Sequence, residues 1–215
     1  MKDILCFGDS NTWGWMPQVM TRYPADVRWT GVLRAALGEG YNIIEDGISG
    51  RLTVFEDLFQ NYLNGRRSLP YALLSHAPLD LVILYLGTND IKYYSAFQSS
   101  LGIEALISDI RSGEARFESY SPIFKSAANI LVIAPTPLRP DILEINPTSG
   151  LRYSYEKSLH FAEEYRKIAE LNNVHFLNAG DVAEPSPMDG VHLTPEGHRA
   201  LGLAVADKVR EILGE

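Results

Sequence analysis

The chain has 215 residues, 46% of them hydrophobic, and 19 lysines and arginines stand against 27 aspartates and glutamates, a formal net charge of −8. That length supports one hydrophobic core, and no charge block or Ser/Gly/Pro-rich linker divides it, so a single domain over residues 1–215 is expected. The acidic balance argues against nucleic acid or an anionic membrane as partner, because both demand a positive surface, and no apolar run approaches the roughly 18 residues of a membrane span.

Met1-Lys2-Asp3 leads at once into the apolar run Ile4 to Phe7, which reads as a first strand. No signal-peptide pattern precedes it, and the single cysteine, Cys6, lies inside it with no partner for an intramolecular disulfide; together these lean towards a cytoplasmic protein. The strand meets Gly8-Asp9-Ser10. In open α/β sheets ligands bind at the carboxyl ends of strands, which puts the Ser10 hydroxyl where chemistry is done; a turn residue or helix N-cap is the competing reading. Trp29 to Leu37 comes next as a candidate helix and Tyr41 to Glu45 as a second strand. That strand runs into Gly47-Ile48-Ser49-Gly50, where backbone N–H groups are open to a ligand or where Gly50 simply turns the chain.

After a candidate helix at Leu69 to His76, the uninterrupted apolar run Leu81 to Leu86 suits a strand buried on both faces. It ends in Gly87-Thr88-Asn89-Asp90, so Asn89 either aims its amide into the crevice beside Ser10 or makes an Asx turn. A helix is expected over Ile103 to Arg111 and a strand over Ile130 to Ala134. Pro135, Pro137 and Pro140 then stiffen a loop that either walls a pocket or only prevents a helix. Arg152 to Leu171 reads as one solvated amphipathic helix and Val174 to Leu177 as a fifth strand.

Near the end, Asp189-Gly190-Val191-His192 precedes Thr194-Pro195, an N-cap and first helical residue for a helix reaching Leu213. So short a loop can fold the carboxylate onto Nδ1 of the imidazole and leave Nε2 to take a serine proton, unless both side chains merely cap the helix. Asp189, His192 and His198 match no common metal-ligand spacing, so neither a metal nor another cofactor is expected. Strands alternating with helices give a three-layer α/β/α sandwich around a parallel sheet.

Gly8-Asp9-Ser10, Gly50, Gly87-Thr88-Asn89-Asp90 and Asp189-Gly190-Val191-His192 resemble, in order and over nearly the whole chain, the four blocks of the SGNH hydrolases, the GDSL esterase/lipase family. The resemblance implies Ser10 as nucleophile, His192 as base and Asp189 as the group orienting it. It also implies an oxyanion hole of the Ser10 and Gly50 N–H groups with the Asn89 side chain, and a five-stranded flavodoxin-like sheet of order 2-1-3-4-5. The stretches Phe7 to Trp15 and Asp26 to Leu33 are most similar to the bacterial aryl esterase and acyltransferase branch. The activity this resemblance implies is that of a serine esterase on short-chain aryl or alkyl esters, working through an acyl-serine, with acyl transfer to alcohols beside hydrolysis.

Asn11, Trp13 and Trp15 are the candidate pocket residues, with the tryptophans and the proline loop walling a short acyl site. Two alternatives stand against this reading. A carbohydrate O-acetyl esterase would also use aromatics, stacked on sugar rings; a non-catalytic binding module would be expected to have lost Ser10 or His192, and both are present. The segments Gly113 to Lys125 and Leu138 to Gly150 carry no family pattern and are left to shape the pocket or a subunit contact. The expected partner is a small-molecule ester, with room for a homo-oligomer.

Overall fold

The computed structural model describes residues 1–17, 19–117 and 122–214. In chain order the strands are β1 (Lys2–Gly8), β2 (Trp15–Met16), β3 (Thr21–Arg22), β4 (Tyr41–Gly47), β5 (Leu81–Tyr85), β6 (Ile130–Ala134) and β7 (His175–Asn178). The helices are α1 (Ser10–Trp13), α2 (Trp29–Leu37), α3 (Gly65–His76), α4 (Ala96–Phe117), α5 (Ile142–Ile145), α6 (Tyr155–Ser158), α7 (Phe161–Leu171) and α8 (Pro195–Leu213). Five strands form one parallel sheet in the order β4-β1-β5-β6-β7, while β2 and β3 pair separately as a small antiparallel ladder. Numbered among themselves, the five follow the expected order 2-1-3-4-5.

The sheet is sandwiched because its strands are apolar on both faces. Every residue of β5 and β6 is buried, and strand alternation divides these side chains between two cores. Leu5, Phe7, Val82, Leu84 and Val132 meet α3, α4 and α7, while Ile4, Cys6, Leu81, Ile83 and Leu131 meet α2 and α8. Each fully buried leucine or isoleucine contributes about 1.5–3 kcal/mol against the chain entropy. Among the described residues no helix is long and apolar enough to cross a membrane.

Helix α2 has the expected bounds, and so does α8, where the Thr194 side chain accepts the Gly197 N–H and Pro195 opens the first turn. The others depart from expectation. Helix α3 begins four residues before Leu69, with Pro70 inside it, and α4 extends well beyond Ile103 to Arg111 in both directions. The expected helix over Arg152 to Leu171 is broken into α6 and α7. Two serines tie the first piece to loops: Ser154 donates to the Ile91 carbonyl, and Ser158 accepts the Leu138 N–H. Helices α1 and α5 have four residues each, too short to show a period.

Register positions the site. Gly8 at the end of β1 lies opposite Gly47 of β4 on one side and Tyr85 of β5 on the other. Three loops therefore leave the sheet side by side at its carboxyl edge, around the switch point of the strand order. Gly47 also lets α1 sit tightly on β4, because a Cβ there would fall 2.2 Å from the Trp13 nitrogen.

Candidate active site

Ser10 is the first residue of α1, which β1 enters through Asp9; the Asp9 side chain caps the helix by accepting the Asn11 N–H at 3.0 Å. The serine is therefore a helix-start residue, and only 6% of its surface is exposed. Its Oγ lies 2.8 Å from Nε2 of His192, which comes from the loop before α8. Asp189 Oδ2 is 2.6 Å from His192 Nδ1, and Asp189 Oδ1 accepts the Val191 and His192 N–H groups, each at 3.0 Å. Burial pushes the Asp189 carboxyl up, but the hydrogen bond and charge of His192 and the two backbone N–H groups outweigh it, so the net shift is downward. An ionised Asp189 keeps the ring hydrogen on Nδ1 and leaves the Nε2 lone pair facing the serine hydroxyl.

The His192 loop is pinned from both sides. Ser186 donates its N–H to the His192 carbonyl at 2.7 Å. Asn11 Oδ1 accepts the Leu193 N–H at 3.0 Å, linking the serine helix directly to the histidine loop. Asn11 is thus buried away from the substrate space in which it was expected. Trp13 is displaced from that role as well: it packs behind Trp15 with ring centroids 6.0 Å apart, under the Arg22 guanidinium. Trp15 alone of the three reaches the cavity, its ring 5.7 Å from that of His192.

That cavity, of about 250 Å³, brings all four sequence blocks together: Ser10, Gly50, Asn89 and His192 line it. Gly50 holds a left-handed φ of +87°, and a Cβ there would press on Leu63. Asn89 donates one amide hydrogen to the Arg51 carbonyl at 3.2 Å and presents the rest of the amide to the cavity. Arg51 escaped the sequence reading. Its buried guanidinium donates to the carbonyls of Gly8 and Asp46 and to the Asp46 carboxylate, and it lies over the Phe7 ring, which locks the ends of β1 and β4 together. The only signal for it was an arginine next to Gly50.

The remaining walls come from elsewhere than expected. Asn146, Ser149 and Gly150 form one side, from the patternless segment Leu138 to Gly150, with Leu151 next to it. Pro137 and Pro140 line a separate cavity with Tyr155 and Pro185, so the proline loop does not bound the space around Ser10. Of the other patternless segment, residues 118–121 lie outside the described residues. A groove of about 340 Å³ between α3 and α4 is larger, but Ser10, Asn89 and His192 are all absent from it. His198 is buried, its Nδ1 accepts the Trp29 N–H at 3.3 Å, and burial above all pushes its pKa down to about 3, so it stays neutral. Among the described residues no group of three His, Cys, Asp or Glu side chains could hold a metal ion.

Asp90, next to Asn89, is fully buried in a chain of hydroxyls. Its Oδ1 accepts the Thr53 N–H; its Oδ2 is 2.6 Å from the Thr53 hydroxyl and 2.8 Å from that of Ser99. Ser99 Oγ is in turn 2.6 Å from Tyr165 Oη, which donates to the Leu86 carbonyl at 2.9 Å. Four contacts among these oxygens share three hydroxyl hydrogens, and a proton on Asp90 supplies the fourth. Burial agrees, raising the Asp90 carboxyl from 3.8 to about 7 against the pull of the Thr53 and Ser99 hydrogen bonds. A carboxyl that holds its proton more tightly folded than unfolded adds stability that is full below about pH 4 and lost as pH rises through 7. Urea unfolding should therefore show stability falling between about pH 4 and 7 by on the order of a few kcal/mol. Asp90→Asn, which keeps a hydrogen directed at Ser99, should flatten that slope; identical slopes would mean that Asp90 carries no extra proton.

Residues 6–200 match the model of the GDSL-like lipase/acylhydrolase family. Among solved structures, a carbohydrate acetylesterase from Sinorhizobium meliloti is 39% identical with a TM-score of 0.88 over 99% of this chain and 100% of that one. The aryl esterase of M. smegmatis is 36% identical with a TM-score of 0.88, again over 99% and 100% of the two chains. A putative arylesterase from Agrobacterium tumefaciens is 38% identical with a TM-score of 0.87 over the same shares. No curated protein sequence matches the chain.

Proposed function

The chain belongs to the GDSL-like lipase/acylhydrolase family and is a carboxylic ester hydrolase of the serine type, and from that premise we propose that Ser10, His192 and Asp189 carry its reaction. The observation that supports this most is the continuous relay from Ser10 Oγ to His192 Nε2 at 2.8 Å and from Nδ1 to Asp189 at 2.6 Å. Ser10 Oγ attacks the ester carbonyl while Nε2 takes its proton, and Asp189 stabilises the resulting imidazolium. The tetrahedral oxyanion is held by the Ser10 and Gly50 N–H groups and the Asn89 amide. Collapse expels the alcohol, to which the imidazolium returns the proton, and leaves an acyl-Ser10. Water, deprotonated by His192 in the same way, then releases the acid; an alcohol in its place gives a new ester. The reading takes residues 1–215 as one hydrolase domain.

The cavity sets the size of substrate. About 250 Å³ walled by Trp15, Leu151 and Val191 suits a small acyl group. Each methylene that fits gains about 0.8 kcal/mol, and one that clashes forfeits this and adds strain. A series of para-nitrophenyl esters from acetate to laurate should give its highest kcat/KM at about two to four carbons. An optimum at eight carbons or more would sink the short site. Running the series with a short alcohol, and quantifying the ester formed, tests transfer separately. The amide and hydroxyl groups of Asn146 and Ser149 along the same walls favour, as a second reading, an acetylated carbohydrate as the natural ester.

A further inference from the structure

One charged side chain in the cavity has no part in the reaction just proposed. Lys92 follows Asn89 on the short 3-10 turn Asp90–Lys92 and lines the cavity with Ser10 and His192. Its stem runs along Gly150, where a Cβ would lie 3.5 to 3.7 Å from its outer carbons. Among the described residues its ammonium has no hydrogen-bond or ion-pair partner.

The side chain is half-buried while its ammonium still reaches water, so a ligand that closed over it would have to supply a partner. Burial is the main influence here and lowers the Lys92 pKa. The acidic groups that act on it, Asp57, Asp9 and Asp90, oppose this only from beyond ion-pair distance. Asp57 is engaged by the Tyr93 hydroxyl, and burial raises the carboxyls of Asp9 and Asp90 to about 6 and about 7, which weakens them as counter-charges. No acidic side chain lines the cavity among the described residues, although the whole chain carries a net charge of −8. A lone cation thus faces a cavity that also holds the serine hydroxyl.

We propose that Lys92 is a specificity residue that selects esters carrying a negatively charged group, a carboxylate or an equivalent oxyanion, close to the scissile bond. The substrate's anion completes the ion pair that the fold leaves open. A neutral ester of the same shape leaves the ammonium desolvated and unpaired. The inference rests on the reading of Ser10 and His192 as the reacting pair, since it takes this cavity as the substrate site.

Two pairs of esters test it, one on each side of the scissile bond. Para-acetoxybenzoate against its methyl ester puts the charge on the alcohol; the para-nitrophenyl monoester of succinate against para-nitrophenyl butyrate puts it on the acyl group. The readout is the ratio of kcat/KM for the anionic ester to that for its neutral partner, compared between wild type and Lys92→Met so that intrinsic reactivity cancels. In at least one pair the ratio should fall about tenfold in Lys92→Met, mainly through KM, as expected for loss of one charge-assisted contact. Lys92→Arg should retain most of the ratio, and added salt should erode it in the wild type but not in Lys92→Met. Equal ratios in wild type and Lys92→Met for both pairs would overturn the proposal, and so would an equal loss on all four esters. Failure of the underlying reading looks different: Ser10→Ala would then hydrolyse the neutral esters at the wild-type rate.

Discussion

Ser10→Ala and His192→Ala should each lower kcat by on the order of 10⁶, and the double variant should be no worse than either single one. The reason lies in the relay. Ser10 Oγ is weakly nucleophilic while it keeps its proton, and the acceptor within hydrogen-bond reach is His192 Nε2 at 2.8 Å. Removing the acceptor leaves an inert hydroxyl, and removing the hydroxyl leaves a base with nothing to activate. Whichever goes first, the second loss has nothing left to subtract. Initial rates on an activated acetyl ester for the two singles and the double decide the matter. A double variant reduced by the product of the single effects would show that the two side chains act independently and would end the assignment. The residual activity should stay above the uncatalysed rate, because the backbone donors at Ser10 and Gly50 survive both substitutions.

Asn89→Ala should lower kcat by roughly 10² to 10³, about 2.7 to 4 kcal/mol, with little change in KM. An amide donor directed at charge that exists only in the tetrahedral state contributes to rate and not to ground-state binding. The amide already donates one hydrogen to the Arg51 carbonyl, which fixes its rotamer before substrate arrives. Because Arg51 ties the ends of β1 and β4, this orientation is referenced to the strand that presents Ser10. Steady-state kinetics on the same acetyl ester, together with the urea midpoint, check the effect. A raised KM with unchanged kcat would make Asn89 a substrate contact; a loss of stability alone would make it a brace for Arg51.

Much of the candidate site's geometry was legible because the residues that build it carry local signals in the chain. Ser10 follows an apolar run and a glycine, Asp189 stands three residues before His192, and Thr194-Pro195 marks the start of α8. Asn11 was misread because its side chain answers a backbone N–H at Leu193, and nothing in the neighbourhood of either residue announces the other. Arg51 was invisible for the same reason: its partners are carbonyls at Gly8 and Asp46, which any sequence would offer. The wall at Asn146, Ser149 and Leu151 has no period because it is irregular backbone held by its own turns, such as Ser149 Oγ accepting the Leu151 N–H. The break between α6 and α7 depends on serines meeting distant loops, against a charge pattern that on its own favours one continuous helix.

The hydrogen bond from Leu193 to Asn11 and the contact between His192 and Ser10 each close a span of 182 residues. Within a growing chain the serine appears 182 residues before its proposed base. Every shorter nascent species therefore carries a hydroxyl without an activator. Loop closure on that scale is entropically slow and comes after the local helices and the neighbouring strand pairs have formed. On the proposed assignment, hydrolytic competence waits for the docking of the loop before α8, and the appearance of ester turnover during refolding should report that long-range contact rather than the collapse that precedes it.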